Sequence, residues 1–368
     1  MRHRDWVERV GNTLPLLVAF LVIGALGCVQ EDPTPAGGPD GGMGPATPQS
    51  VRAQLMRNNI TPIPLEALNP LNPLTPAKID LGRQLYYETR LSKNQMIACN
   101  TCHALDRYGI DVRGGPFSLG HANQLGGRNA PTVYHAAFHL AQFWDGREPD
   151  VEAQAGGPIL NPIEMAMDSE AAVIAVLRSI PGYDPLFRAA FPGEPDPFTY
   201  DNLKKAIGAF ERRLVTPAAI DLFMNGDDNA LTPGQLDGAQ LFVNMGCADC
   251  HDGPALGGGK YKKLCLMDPC QIADKGRSEI TMNPMDDYHF KVPSLRNVTE
   301  TGPYLHDGSL PTLQETVMFM ARHQLGMPSA QIASIIDFLH ALTGPIDMLY
   351  IAPPPPLPPG PTTPPPMP

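Results

Sequence analysis

The sequence predicts a mainly α protein of two related halves with long irregular loops. Three observations carry this. Apolar residues recur at helical spacing through most of the body, and no alternating strand pattern competes with them. One five-residue motif occurs twice, as Cys99-Asn100-Thr101-Cys102-His103 and Cys247-Ala248-Asp249-Cys250-His251. The stretches 104–163 and 252–310 hold many Gly, Pro and Asn residues with few periodic runs, and loops of that length inside a compact body usually serve a function.

The repeated motif points to a cofactor. Two thiols three positions apart lie on one helical face and can add to the two vinyl groups of a haem, while the adjoining His turns to the iron. A single copy is also compatible with a redox dithiol or half a zinc site. Two copies, each followed directly by His, favour two c-type haems, attached through Cys99 and Cys102 and through Cys247 and Cys250, with His103 and His251 as axial ligands. The flanks repeat as well: Gly82-Arg83-Gln84-Leu85-Tyr86 precedes the first motif and Gly238-Ala239-Gln240-Leu241-Phe242 the second. Ile79, Leu85 and Tyr86 make one apolar stripe, and Leu236, Leu241 and Phe242 contribute to the other.

Taken in order, the chain begins with Arg2, Arg4 and Arg9, an apolar run from Leu14 to Leu26, and Gly27-Cys28 before polar sequence. This pattern predicts a secretory signal over 1–27, the apolar run being shorter than the roughly 20 residues that span a bilayer. Ala25-Leu26-Gly27-Cys28 resembles a bacterial lipobox, with Cys28 as the lipid-modified residue, although Ala25 stands where Leu is usual; ordinary cleavage and secretion is the alternative. Residues 28–55 read as a flexible, lipid-anchored linker. Helices are expected at 169–180, 201–214, 311–325 and 329–343. The tail 346–368 is nearly all proline from Pro353 and is expected to be extended, either disordered or wrapped on the surface. Of the seven cysteines, Cys265 and Cys270 remain after lipid and haem are provided for, and can close a small disulfide in an oxidising compartment. The formal charge of −11 and the lack of a basic patch argue against nucleic acid.

A haem held by one His has a sixth position whose occupant largely decides its chemistry. Spacing alone leaves many candidates: His121, His135, His139, His289, His306, His323 and His340, with Met318 and Met320 on a helix whose Leu313, Thr316, Val317 and Met320 share a face.

Further motifs carry a resemblance over about 60–343. They include Gly120-His121-Ala122-Asn123-Gln124, Arg128-Asn129-Ala130-Pro131-Thr132, Phe143-Trp144-Asp145-Gly146-Arg147 and Asn161-Pro162-Ile163-Glu164-Met165. Phe290-Lys291-Val292-Pro293-Ser294-Leu295-Arg296-Asn297-Val298, Pro303-Tyr304-Leu305-His306-Asp307-Gly308 and Met320-Ala321-Arg322-His323-Gln324-Leu325-Gly326 complete the order. In this the chain resembles the bacterial di-haem cytochrome c peroxidases, a family related to MauG. The resemblance implies two cytochrome c-like haem domains, a peroxidatic one over 56–225 and an electron-accepting one over 226–345.

It further implies that His103 is proximal and His121 the removable distal ligand of the peroxide-reacting haem, and that His251 and Met320 hold the second haem, with Met318 as competitor. Glu164 and Gln154 match the distal-pocket pair, the carboxylate moving protons and the amide holding peroxide. Trp144 matches the residue that lies between the haems. One calcium ion is implied, held by Asn129, Thr301 and Pro303. Implied partners are hydrogen peroxide and a small mono-haem cytochrome c or copper protein, the location is periplasmic, with the anchor at the outer membrane, and the state a homodimer. Two alternatives differ in chemistry: a MauG-like enzyme that oxidises another protein, which would have Tyr in place of Met320, and a di-haem electron carrier without peroxidase activity.

Overall fold

The computed structural model describes residues 46–326 and 332–367. The expected signal 1–27, Cys28 and most of the expected linker lie outside the described residues. None of the described helices is long and apolar enough to cross a membrane.

Twelve helices and two short strands are described. The first helices are α1 (Pro48–Arg57), α2 (Pro76–Tyr86), the single turn α3 (Cys99–Cys102) and α4 (Val151–Leu160). Then follow α5 (Glu170–Arg178), α6 (Tyr183–Ala190), α7 (Tyr200–Glu211), α8 (Ala219–Met224) and α9 (Pro233–Asn244). The series ends with α10 (Ser278–Thr281), α11 (Leu313–Phe319) and α12 (Ile332–His340). Strands β1 (Tyr261–Lys263) and β2 (His289–Lys291) pair antiparallel with Lys262 opposite Phe290.

The helices flanking the two motifs are built alike. Thr75 caps α2 and Thr232 caps α9, each followed by Pro at the first helical position, where a missing N–H costs nothing. Helix α2 packs chiefly on α7, and α9 on α12. A Cβ on Gly82 would sit 1.9 Å from the Ala206 carbonyl oxygen and 2.9 Å from Phe210 Cβ. A Cβ on Gly238 would sit 1.9 Å from the Ser334 oxygen and 2.9 Å from Phe338 Cβ. Each half therefore uses one glycine to bring two backbones together, which gives the weak sequence repeat a structural cause.

Two apolar clusters result. One gathers Leu81, Leu85, Tyr86, Tyr183, Phe187, Leu203 and Phe210, with Cys99 packed against it. The other gathers Phe223, Leu236, Phe242, Phe338, Leu339 and Leu342, with Cys247 against it.

The structure corrects several expectations. Residues 48–55 were expected in the linker but belong to α1, whose Val51 and Leu55, one helical turn apart, are buried in the second cluster with Ile60. Helix α8, read as part of the first half, also joins that second cluster. Helix α4 lies in a stretch read as loop, because Gly156, Gly157 and Pro158 mask a real stripe of Val151, Ala155 and Ile159. The second long stretch contains β1 and β2, each only three residues, too short for alternation to be read. The helix expected over 311–325 is continuous but changes at Met320–Gln324 into one turn of π-helix.

The proline-rich tail lies along the first half. Ile351 is buried in its cluster, and Tyr350 stacks on Phe210 with ring centroids 5.1 Å apart. Gln95 Nε2 donates to the Pro364 carbonyl at 2.8 Å, Thr363 Oγ1 to that of Ser179 at 3.0 Å, and the Met367 amide to that of Lys93 at 3.1 Å. Cys265 and Cys270 form the expected disulfide.

Candidate active site

The two Cys-x-x-Cys-His motifs adopt the same local arrangement. His103 N donates to the Cys99 carbonyl at 3.0 Å and His251 N to the Cys247 carbonyl at 2.9 Å. Each imidazole places Nδ1 3.3 Å from a backbone carbonyl downstream, Gly109 for His103 and Leu256 for His251. A ring that donates Nδ1–H to a carbonyl leaves Nε2 as its lone-pair nitrogen, the orientation of a metal-ligating histidine. Burial favours the neutral rings, holding His103 below the usual range and His251 down to about 4. Cys99, Cys102, Cys247 and Cys250 are all free thiols and half-buried. Both motifs thus fit a covalently attached haem.

The second motif opens on a mostly apolar pocket lined by Cys247, His251, Met320 and Trp144, with Lys291 and His139 among its polar side chains. Leu313, Thr316 and Val317 share this lining with Met320, as the helical face predicted. Met318 is 43 % exposed and points away from it. The imidazole of His251 and the thioether of Met320 in one mostly apolar lining are the donor types that would suit a haem held there.

Around the first motif the polar groups come from loops. Gly120 begins a tight turn in which Ala122 and Asn123 take left-handed conformations, and Gln124 returns its carbonyl to Gly120 N at 2.9 Å. A Cβ on Gly120 would lie 2.0 Å from the Ile163 oxygen, so only glycine lets the turn approach that strand of chain. His121 N donates to the Ile163 and Glu164 carbonyls at 2.9 and 2.8 Å, seating the His121 turn on the Glu164 segment. His121 Nδ1 is buried without a hydrogen-bond partner among the described residues.

Glu164 is held near the same motif. Burial raises its carboxyl pKa, opposed by the positive charge of Arg147 and by a 2.9 Å hydrogen bond from Asn161 Nδ2. Burial is also the main reason the Cys102 thiol titrates high, with Glu164 among the nearby charges that act on it. Gln154, half-buried, stands on α4, and the chain turns back after that helix so that Met165 N meets the Pro158 carbonyl at 3.2 Å. Helix and turn therefore carry Gln154 and Glu164 as one unit.

Trp144 connects the halves. Its Nε1 donates to the Asn129 carbonyl at 2.9 Å, its ring meets His306 edge-on, and its own carbonyl accepts from Lys291 N at 2.7 Å. From Asn129 the chain runs to Pro131, whose backbone acts on the His103 ring. Asn129, Thr301 and Pro303 line one cavity, and the Asn129 amide lies 2.7 Å from the Pro303 carbonyl. Among the described residues no group of three or more His, Cys, Asp or Glu is arranged to hold a metal ion.

Two features were not singled out from sequence. Arg113 donates to Leu119 O at 2.8 Å and reaches Cys102 Sγ at 3.2 Å, tying the His121 loop to the motif. Lys291 is buried with Nζ 3.0 Å from His139 Nδ1, and burial pushes it down to about 8. An Arg in a glycine-rich loop and a Lys in a short strand carry no sequence signal for such roles.

The sequence profile described as di-haem cytochrome c peroxidase matches residues 76–229. The cytochrome c551 peroxidase of Nitrosomonas europaea is 42% identical over 287 residues, 76% of this chain and 84% of that protein. That of Pseudomonas aeruginosa is 41% identical over 280 residues, 74% of this chain and 80% of that protein. Among solved structures, a MauG-like protein associated with microbial copper homeostasis superposes with a TM-score of 0.70 at 27% identity, covering 79% of this chain and 95% of that one. The chain belongs to the di-haem cytochrome c peroxidase family, oxidoreductases built around two c-type haems.

Proposed function

We propose that this protein reduces hydrogen peroxide to water at a haem held by Cys99, Cys102 and His103, using electrons from a small mono-haem cytochrome c or copper protein. Cys247, Cys250, His251 and Met320 would hold the second, electron-accepting haem. When bound, the haems supply the redox chemistry, in which hydrogen peroxide, two electrons and two protons give two waters. The observation that carries the assignment is the asymmetry of the two sites: a buried carboxyl with a raised pKa, Glu164, stands near Cys102, whereas among the described residues the pocket at His251 is lined by no Asp or Glu.

Glu164 in its ionised form takes a proton from one peroxide oxygen and returns it to the leaving oxygen. A raised pKa makes the carboxylate a stronger base for taking that proton than an ordinary one, and brings its proton affinity closer to the working pH. Asn161 orients Glu164 through its 2.9 Å hydrogen bond, and Gln154 offers an amide that holds peroxide without titrating. His121 would hold the iron of the first haem on the side away from His103 until its turn moved. That turn is small and glycine-led, and it is attached to the Glu164 segment by two backbone hydrogen bonds, so it can shift without opening an apolar core. Trp144 is assigned the path between the halves.

Asn129, Thr301 and Pro303 are the proposed calcium ligands. Their neutral oxygens suit a hard cation once the Asn129 amide is turned to present its oxygen beside the Pro303 carbonyl. Periplasmic location, a lipid anchor at Cys28 and a homodimer are proposed on the sequence features and resemblance. Met320, where MauG-like protein oxidation would call for Tyr, favours the peroxidase reading.

The deciding experiment is an optical and electron paramagnetic titration of the haem-loaded protein, oxidised and half-reduced, followed by peroxide with reduced cytochrome c. A new high-spin signal on half-reduction with rapid donor oxidation is expected. Two haems that stay low-spin beside an untouched donor would leave an electron carrier, and the roles of Glu164 and Gln154 would be withdrawn. If His121→Ala is as dependent on pre-reduction as the parent protein, His121 is not the removable ligand.

A further inference from the structure

The turn that carries Met320 is a π-helix, Met320–Gln324, and such turns are locally unfavourable and persist where surrounding contacts impose them. Among the described residues, most of the hydrogen bonds to that turn come from the six-residue loop closed by the Cys265–Cys270 disulfide. Met267 N and Asp268 N both donate to the His323 carbonyl, at 2.9 and 3.3 Å. Leu266 N donates to Gln324 Oε1 at 2.9 Å, and Gln324 Nε2 donates in turn to the Lys263 carbonyl at 3.1 Å, pinning the turn to the end of β1. His323 Nδ1 lies 2.8 Å from the Asp268 carbonyl, and the Asp268 carboxylate pairs with Arg322 at 2.7 Å. A Cβ on Gly326, just past the turn, would lie 3.6 Å from Met267 Cβ, so the loop runs close beside it. Arg322, His323 and Gln324, three of the five residues of the π turn, are thus held by the loop.

The loop in turn depends on its closure. Cys265 is buried and takes a left-handed conformation, φ +57, that a residue with a side chain rarely adopts unaided. Its backbone donors point at the π turn only in this shape. A cross-link over so short a span removes most alternative shapes of the loop.

We propose that the Cys265–Cys270 loop is a clamp that positions Met320 over the second haem. This rests on the reading of Met320 as an axial ligand. The disulfide does not touch the haem site; it fixes the loop, the loop fixes the π turn, and the turn fixes where the thioether stands. Opening the loop lets Met320 leave the position opposite His251 more often.

The test uses the full haem-loaded protein and reads ligation directly, through the long-wavelength charge-transfer band of methionine-ligated ferric haem and the rate at which added imidazole replaces the methionine. Three variants are compared: Cys265→Ser with Cys270→Ser, Asp268→Ala with Gln324→Ala, which keeps the disulfide but cuts the docking, and Met320→Ala. The Met320→Ala variant abolishes the band if Met320 is the ligand; an unchanged band there removes the ligand reading itself, and the clamp with it. Given that control, both double variants are expected to weaken the band and speed imidazole binding by about tenfold or more. Far-ultraviolet dichroism should stay that of the parent, since the loop lies outside both apolar clusters. Parental band and imidazole rate in either double variant would overturn the clamp while leaving Met320 as ligand.

Discussion

The half around His103 and the half around His251 share their framework and differ in what surrounds it. In each, a glycine lets the helix before the motif press against a partner helix, and the motif histidine turns Nδ1 to a backbone carbonyl. Beyond that, the first half surrounds its motif with loops that bring a buried carboxyl, a histidine on a glycine-led turn and Arg113, while the second presents an apolar cavity with a thioether on a clamped turn. The lesson is that one local geometry of the motif is set in two different surroundings. Under the proposed function, loops add proton handling on one side only, where a carboxyl is placed near the motif.

The comparison breaks most directly at Glu164. Glu164→Gln keeps the shape and the Asn161 contact but cannot take a proton, so steady-state peroxide turnover should fall about 10²- to 10⁴-fold while the optical spectrum of the second haem is unchanged. A loss under threefold would mean that the two halves do not differ in proton chemistry.

The structural half of the comparison is tested by the paired glycines. Gly82→Ala and Gly238→Ala each force a Cβ onto a backbone oxygen at 1.9 Å, and each should cost about 1–3 kcal/mol or more in denaturant unfolding. Comparable losses sharpen the equivalence of α2 with α9. Free tolerance at one position and not the other would show that the repeat is only a likeness of sequence.

The pH profile should carry the same asymmetry. Glu164 works as the carboxylate and its pKa is raised, so the peroxide reaction should decline as pH falls through a value above the ordinary carboxylate range, and Glu164→Gln should lack that limb. Linkage has the opposite consequence for stability. Between the unfolded and folded pKa values the folded state binds more protons, so this group's contribution to stability declines as pH rises. Stopped-flow rates and denaturant midpoints over the same pH range separate the two.

The smallest effect is expected from the tail. Removing residues 353–368 deletes the contacts of Pro364, Thr363 and Met367 with the first half, at a net cost of about 1–2 kcal/mol, with peroxide turnover unaffected. Unfolding curves of the truncated protein measure it, and an unchanged midpoint would make the tail a passive cover.

How much was legible can be argued from single elements. The two motifs and α2, α5, α7, α9 and α11 could be read because local chemistry alone specifies them: a Thr-Pro start, an apolar stripe, thiols at helical spacing. Helix α4 was hidden by its own Gly-Gly-Pro, although that helix carries Gln154. Glu164 and His121 were singled out through neighbouring motifs, since a lone Glu or His gives no sign of its surroundings. Arg113 and Lys291 were missed for that reason, as their partners lie on segments that approach only in the folded chain.

By itself, then, the sequence determined two Cys-x-x-Cys-His motifs, the repeat that frames them and a mainly helical body, because these depend on residues within a few positions of one another. Only the tertiary structure decided that Met320 and not Met318 faces the cavity, that Glu164 is buried near Cys102, and that the Cys265–Cys270 loop grips the π turn. Which way a side chain points, and how far burial moves its proton affinity, depend on what distant segments pack against it. No local pattern records that.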